Sequence, residues 1–75
     1  MSNTKMRKRN MALIAAREKS GKTQAQVAAA AQVSTVAYQN YEYGEREPKA
    51  SIANLIAEAV GSTVESLWGG NPVRA

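Results

Sequence analysis

The run Thr35-Val36-Ala37-Tyr38-Gln39-Asn40-Tyr41-Glu42-Tyr43 joins helix-compatible residues to hydrogen-bonding groups that a core would reject. Coiled as a helix, it sets Ser34, Tyr38, Tyr41 and Glu42 along one side and Thr35, Val36, Gln39, Asn40 and Tyr43 along the other. The second side is uncharged and carries amides, hydroxyls and a valine. A Gln or Asn amide can bond adenine at N6 and N7, Thr can donate or accept, and Val can pack on a thymine methyl. An ordinary solvated surface would explain the same residues, but such surfaces commonly use Lys and Glu, and this side has neither.

Other chemistries are excluded by composition. The chain has no His, no Cys and no Asp. Thiol and Ser-His catalysis are therefore closed to it, as are the usual zinc and calcium sites. Six Glu remain, without the paired arrangement that acid-base work requires. No enzyme, no catalytic residue, no metal and no cofactor are expected.

Charge is unevenly placed. Residues 1–22 hold seven basic side chains against Glu18, whereas residues 23–75 hold three against five Glu. A basic segment on a small domain suits a polyanion. Lys5, Arg7, Lys8 and Arg9 fit phosphate contacts and a merely solvated surface equally well.

The elements that must position the polar face follow from length and composition. A chain of 75 residues is one domain at most. Its 44% apolar fraction is dominated by 14 Ala against four aromatics and no Phe. Alanine favours helix and lets helices approach closely, so a compact all-α bundle of short helices is expected. No apolar run approaches the roughly 18 residues of a membrane span, and no signal-peptide pattern follows the basic start. The lack of cysteine suits a cytoplasmic setting.

Along the chain, residues 1–5 read as a loose arm and a first helix runs from about Lys5 or Met6 to Lys19, stopped by Gly21. Thr23 and Gln26 form a capping box that opens a second helix with Val27, Ala28 and Ala31 on one face. Ser34 caps a third, Thr35 to Tyr43, with Gly44 at its C-terminal stop. A fourth helix follows Pro48 with Ile52 and Ile56 as its face and Leu55 and Ala59 beside it; Gly61 ends it. Thr63 caps a fifth carrying Val64, Leu67 and Trp68. The domain thus spans residues 6–68, and 69–75 read as a flexible tail or linker.

Two short helices joined by a tight turn make a helix-turn-helix, whose second helix enters the major groove of duplex DNA while the first braces the backbone. Here the chain resembles the Cro/C1-type (XRE) helix-turn-helix family. The matching residues are Arg17, Gly21, Thr23-Gln24, Val27-Ala28, Val33-Ser34, Tyr41-Glu42, Gly44 and Pro48. The likeness continues through Ile56–Gly61 and Thr63–Trp68, and so covers roughly residues 10–68.

That resemblance implies a five-helix, lambda-repressor-like domain with the helix-turn-helix in helices 2 and 3. It implies base readout by Thr35, Val36, Gln39 and Asn40. Phosphate contacts fall to Thr23, Gln24, Ser34, Tyr43, Arg46 and Lys22, and a structural ion pair to Arg17 and Glu42. The implied function is a sequence-specific, double-stranded DNA-binding transcriptional regulator: a repressor of phage or plasmid type, a homodimer on a palindromic operator. Val64, Leu67 and Trp68 are the candidate dimer interface, or else they close the monomer core. RNA polymerase or a toxin are further candidate partners. A DNA-binding antitoxin, or the protein-interaction module of a toxin-antitoxin pair, is the alternative. Single-stranded RNA is disfavoured, because its readers expose stacking aromatics.

Four departures from the family pattern carry expectations, one of them Ala16, which replaces a larger residue and leaves space for Tyr38 to fill. Gln32 stands in the turn where the family has Gly, and a left-handed backbone there strains it. Tyr38 replaces an aliphatic residue, so its hydroxyl must reach water or a partner. Lys22 replaces a bulky apolar residue and can snorkel or reach toward phosphate.

Overall fold

The computed structural model describes residues 9–69, all helix and loop. The expected arm over 1–5 and all but the first residue of the tail lie outside them. Five helices follow in order: α1 (Met11–Ser20), α2 (Gln24–Ala30), α3 (Thr35–Tyr43), α4 (Ala50–Ala59) and α5 (Val64–Leu67).

Side-chain caps set most of the starts. The Asn10 carboxamide accepts from Leu13 N, Ser34 from Ala37 N and Thr63 from Ser66 N, while Thr23 and Gln26 complete a reciprocal capping box. Asn10 explains the one displaced boundary. Arg9 and Asn10 are not helical, so α1 begins at Met11 and not near Lys5. The Asn10 backbone N–H also donates to the Glu42 carbonyl at 2.8 Å, which fixes the entry to α1 against the end of α3. Gly21 and Gly44 take left-handed conformations (φ 76° and 80°) and close α1 and α3.

Leu13, Val27, Ala28, Ala31, Tyr38, Ile56, Ala57, Val60 and Leu67 form the core. On α4 the buried positions are Ala53, Ile56 and Ala57, with Ile52, Leu55 and Ala59 half-buried. The inward face is thus turned toward the alanines from the one the large residues suggest. The small side chains of Ala53 and Ala57 take up little room there, and the bulkier Ile52 and Leu55 pack half-buried against the core beside them. Leu67 is buried in the monomer core, so of the three candidate interface residues only Val64 and Trp68 keep exposed surface.

The turn between α2 and α3 is left-handed at Gln32 (φ 63°), the one non-glycine residue with positive φ among those described. Its neighbours close the turn through Gln32 N to Ala29 O at 3.1 Å and Val33 N to Ala28 O at 3.0 Å. The Gln32 side chain is exposed.

Candidate nucleic-acid interface

Helix α3 has two unlike sides. Tyr38 and Glu42 are fully buried, while Val36 is 65% exposed and Tyr43 37%. Thr35, Gln39 and Asn40 are half-buried beside Val36. No charged side chain lies among Thr35, Val36, Gln39 and Asn40. Among the cations, Lys22 and Arg46 are exposed, and the Arg9 guanidinium sits 5.0 Å from the centre of the Tyr43 ring, a cation–π contact.

Under α3 lies a chain of polar side chains linking three helices. Arg17 on α1 donates through Nε to Glu42 on α3, and its Nη1 donates to the Lys22 carbonyl at 3.1 Å. Gln24, the first residue of α2, donates through Nε2 to Glu42 Oε1 at 2.9 Å. Gln39 in turn donates through Nε2 to Gln24 Oε1 at 3.1 Å. Burial alone would push the Glu42 carboxyl up, but the hydrogen bonds from Arg17 and Gln24 and the Arg17 charge outweigh it and hold Glu42 below the usual carboxylate range. Arg17 is pushed up, chiefly by its hydrogen bond to Glu42.

The Tyr38 hydroxyl is buried at the edge of this cluster and finds no hydrogen-bond partner, contrary to the expectation for it. Burial, with the nearby Glu42 carboxylate, pushes its pKa far above the ordinary tyrosine value, so it stays neutral. Its ring packs edge-to-face on Tyr41, with centroids 6.5 Å apart.

The remaining positions named from sequence are accounted for as follows. Thr23 and Ser34 are exposed and engaged as helix caps. Gln24 is half-buried, with both ends of its amide turned to protein groups. Sequence reasoning missed the two glutamine bonds and the Arg9–Tyr43 contact. Each joins residues on different elements, and no spacing along the chain carries a signal for them.

The geometry is that of a helix-turn-helix, in which the second helix is anchored on its buried side and bare on the other. The family model for helix-turn-helix proteins matches residues 13–67, and the chain belongs to that family, in its Cro/C1-type branch. Solved structures agree. The clp gene regulator ClgR from C. glutamicum superposes with a TM-score of 0.69 at 25% identity, covering 79% of this chain and 77% of that one. The P22 c2 repressor in complex with synthetic operator 9T in the presence of Tl+ gives 0.72 at 27%, covering 79% and 89%. The solution structure of the DNA-binding domain of the same P22 repressor gives 0.74 at 24%, covering 89% and 88%, and speaks for the fold alone. No curated protein matches the sequence. The chain is a DNA-binding transcriptional regulator. Among the described residues no helix is long and apolar enough to cross a membrane.

Proposed function

We propose that α3 lies in the major groove of a double-stranded operator and that Thr35, Val36, Gln39 and Asn40 read base edges there. The observation that carries this reading is the exposure of Val36, 65%, amid uncharged hydrogen-bonding groups on a helix whose opposite side is locked in the core. A lone exposed valine is ordinary on a surface, but set among amides and hydroxyls on this helix it is placed to pack on a thymine methyl. Thr23, Gln24, Ser34, Tyr43, Arg46 and Lys22 then meet phosphates. The N-terminus of α2 contributes its free N–H groups and helix dipole beside Gln24.

One such helix reads only a few base pairs. The chain therefore acts as a homodimer on a palindromic operator, with half-sites about 34 Å apart, through a surface that includes Val64 and Trp68. A protein of this form represses by occupying its operator, as phage and plasmid regulators do.

Selection of bound fragments from random double-stranded DNA tests this. The expected product is an inverted repeat whose half-site spacing reports the dimer. Binding to it should survive competitor DNA and weaken steeply with salt, with a log–log slope near −0.9 for each phosphate contacted. Recovery of no common sequence, together with capture of a partner protein, would favour the interaction-module alternative.

A further inference from the structure

We propose that Glu42 fixes the orientation of the Gln39 side-chain amide through Gln24, so that Gln39 presents its carbonyl oxygen, an acceptor, to the base it faces. The inference deepens the DNA-reading function proposed above and rests on it.

The direction follows from donor and acceptor inventory. An ionised carboxylate accepts and cannot donate. Glu42 is held ionised by Arg17, so the only end of the Gln24 amide that can face it is the NH2 group, and Nε2 lies 2.9 Å from Glu42 Oε1. That choice leaves the Gln24 oxygen on the far side, where it can only accept. Gln39 meets it with Nε2 at 3.1 Å. Turning either amide around would set oxygen against oxygen or NH2 against NH2. The Gln39 oxygen accepts no hydrogen bond among the described residues. Nor is it a buried orphan among the described residues, a condition met there by the Tyr38 hydroxyl alone, and Gln39 itself is only half-buried.

Base edges in the major groove answer differently to an outward acceptor. Adenine N6 and cytosine N4 carry amino donors, whereas guanine shows only O6 and N7. A glutamine free to rotate its amide could donate to guanine as readily as accept from adenine. Tied through Gln24, Gln39 has one of its two NH2 hydrogens committed and its oxygen turned outward, which favours a base with an exocyclic amino group over guanine. Glu42 touches no base in this scheme; it is a positioning residue, and Gln24 is its link.

Gln24→Ala cuts the middle link and leaves Arg17 and Glu42 in place, and Gln24→Leu does the same while keeping side-chain bulk. The first readout needs no DNA. In the full-length, 15N-labelled protein the Gln39 side-chain NH2 should exchange slowly with water, and faster in both variants. Unchanged exchange overturns the relay itself. The second readout uses the operator position at which Gln39→Ala alters base preference. There the wild type should favour adenine or cytosine over guanine by about tenfold, and both Gln24 variants should bring the ratio within about threefold while weakening binding to every sequence. A mere loss of a phosphate contact or of stability weakens binding without touching that ratio. A guanine preference at that position, an unchanged ratio, or a Gln39→Ala protein with unaltered preferences overturns the proposal. Failure to select any common sequence overturns the DNA-reading function on which it stands, and the DNA-free exchange result tells the two failures apart.

Discussion

Helices α3 and α4 contribute to one core by unlike means. On α4 the inward residues are Ala53, Ile56 and Ala57, held by volume and apolar area. On α3 they are Tyr38 and Glu42, and Glu42 is held by hydrogen bonds from Arg17 and Gln24. Apolar packing tolerates small rotations as long as space is filled. Hydrogen bonds from a guanidinium and an amide to one carboxylate do not, because they weaken steeply off their preferred angles. The comparison teaches that α3, the helix proposed above to read DNA, is anchored directionally, whereas α4 is anchored by bulk.

The comparison breaks most visibly when one anchor of each kind is removed. Glu42→Ala leaves Arg17 without its charge partner and should lower stability by about 3–5 kcal/mol, a large share of the total for a domain of this size. Ile56→Ala, a cavity at a site with no exposed surface, should cost about 2–5 kcal/mol. Urea denaturation measures both. Acid separates them. The Glu42 carboxyl is depressed in the folded state, so its contribution is fully present above its unfolded value of 4.5 and is lost as pH falls through the lower folded value. Stability of the wild type and of Ile56→Ala should therefore decline below about pH 4.5, and that of Glu42→Ala should decline less. Equal acid sensitivity in all three would sink the idea that α3 is held by charge.

How much of this was legible beforehand divides along the same line. Local signals held. The Thr23–Gln26 box, the Ser34 and Thr63 caps, and the glycine stops at Gly21 and Gly44 all act within a few residues of themselves, and each sits where the sequence places it. The start of α1 was misplaced because Asn10 interrupts a basic run that otherwise looks helical, and a single cap outweighs propensity there. On α4 Ile56 sits in the core as the sequence places it, with Ile52, Leu55 and Ala59 packed against it, whereas buried Ala53 and Ala57 escape notice because small side chains add little to an apolar pattern. The amide chain from Glu42 to Gln39 joins residues on two helices, and nothing in the order of side chains along either helix encodes which end of Gln24 faces inward.

Tyr38 sharpens the contrast, because it is the one buried member of α3 whose polar group is not part of the anchor. Its hydroxyl sits beside Glu42 without a hydrogen bond. An unsatisfied buried hydroxyl costs about 1–3 kcal/mol, and removing it with the ring kept should return a part of that. Tyr38→Phe is expected to gain about 1 kcal/mol, read as a rise of about 4–8 °C in the melting temperature. A loss of stability instead would show that the hydroxyl supports the Glu42 carboxylate, and the anchor would then have a further member.

The smallest expected effect lies in the turns that follow α2 and α4, which solve one backbone problem with different residues. Both are left-handed: Gln32 at φ 63° and Gly61 at φ 68°. A Cβ at Gly61 would meet nothing within 4 Å, so the difference between the sites is backbone energy and not room. A left-handed conformation costs an L-residue about 1–2 kcal/mol, and glycine offsets about 0.5–1 kcal/mol of that advantage through the freedom it has when unfolded. Gln32→Gly should therefore gain about 0.5 kcal/mol, and Gly61→Gln should lose about as much, both read by chemical denaturation. Gln32→Ala keeps the strain and should leave stability nearly unchanged. A clear loss on Gln32→Gly would mean that the Gln32 side chain helps aim α3, placing the turn among the directional anchors instead of among their costs.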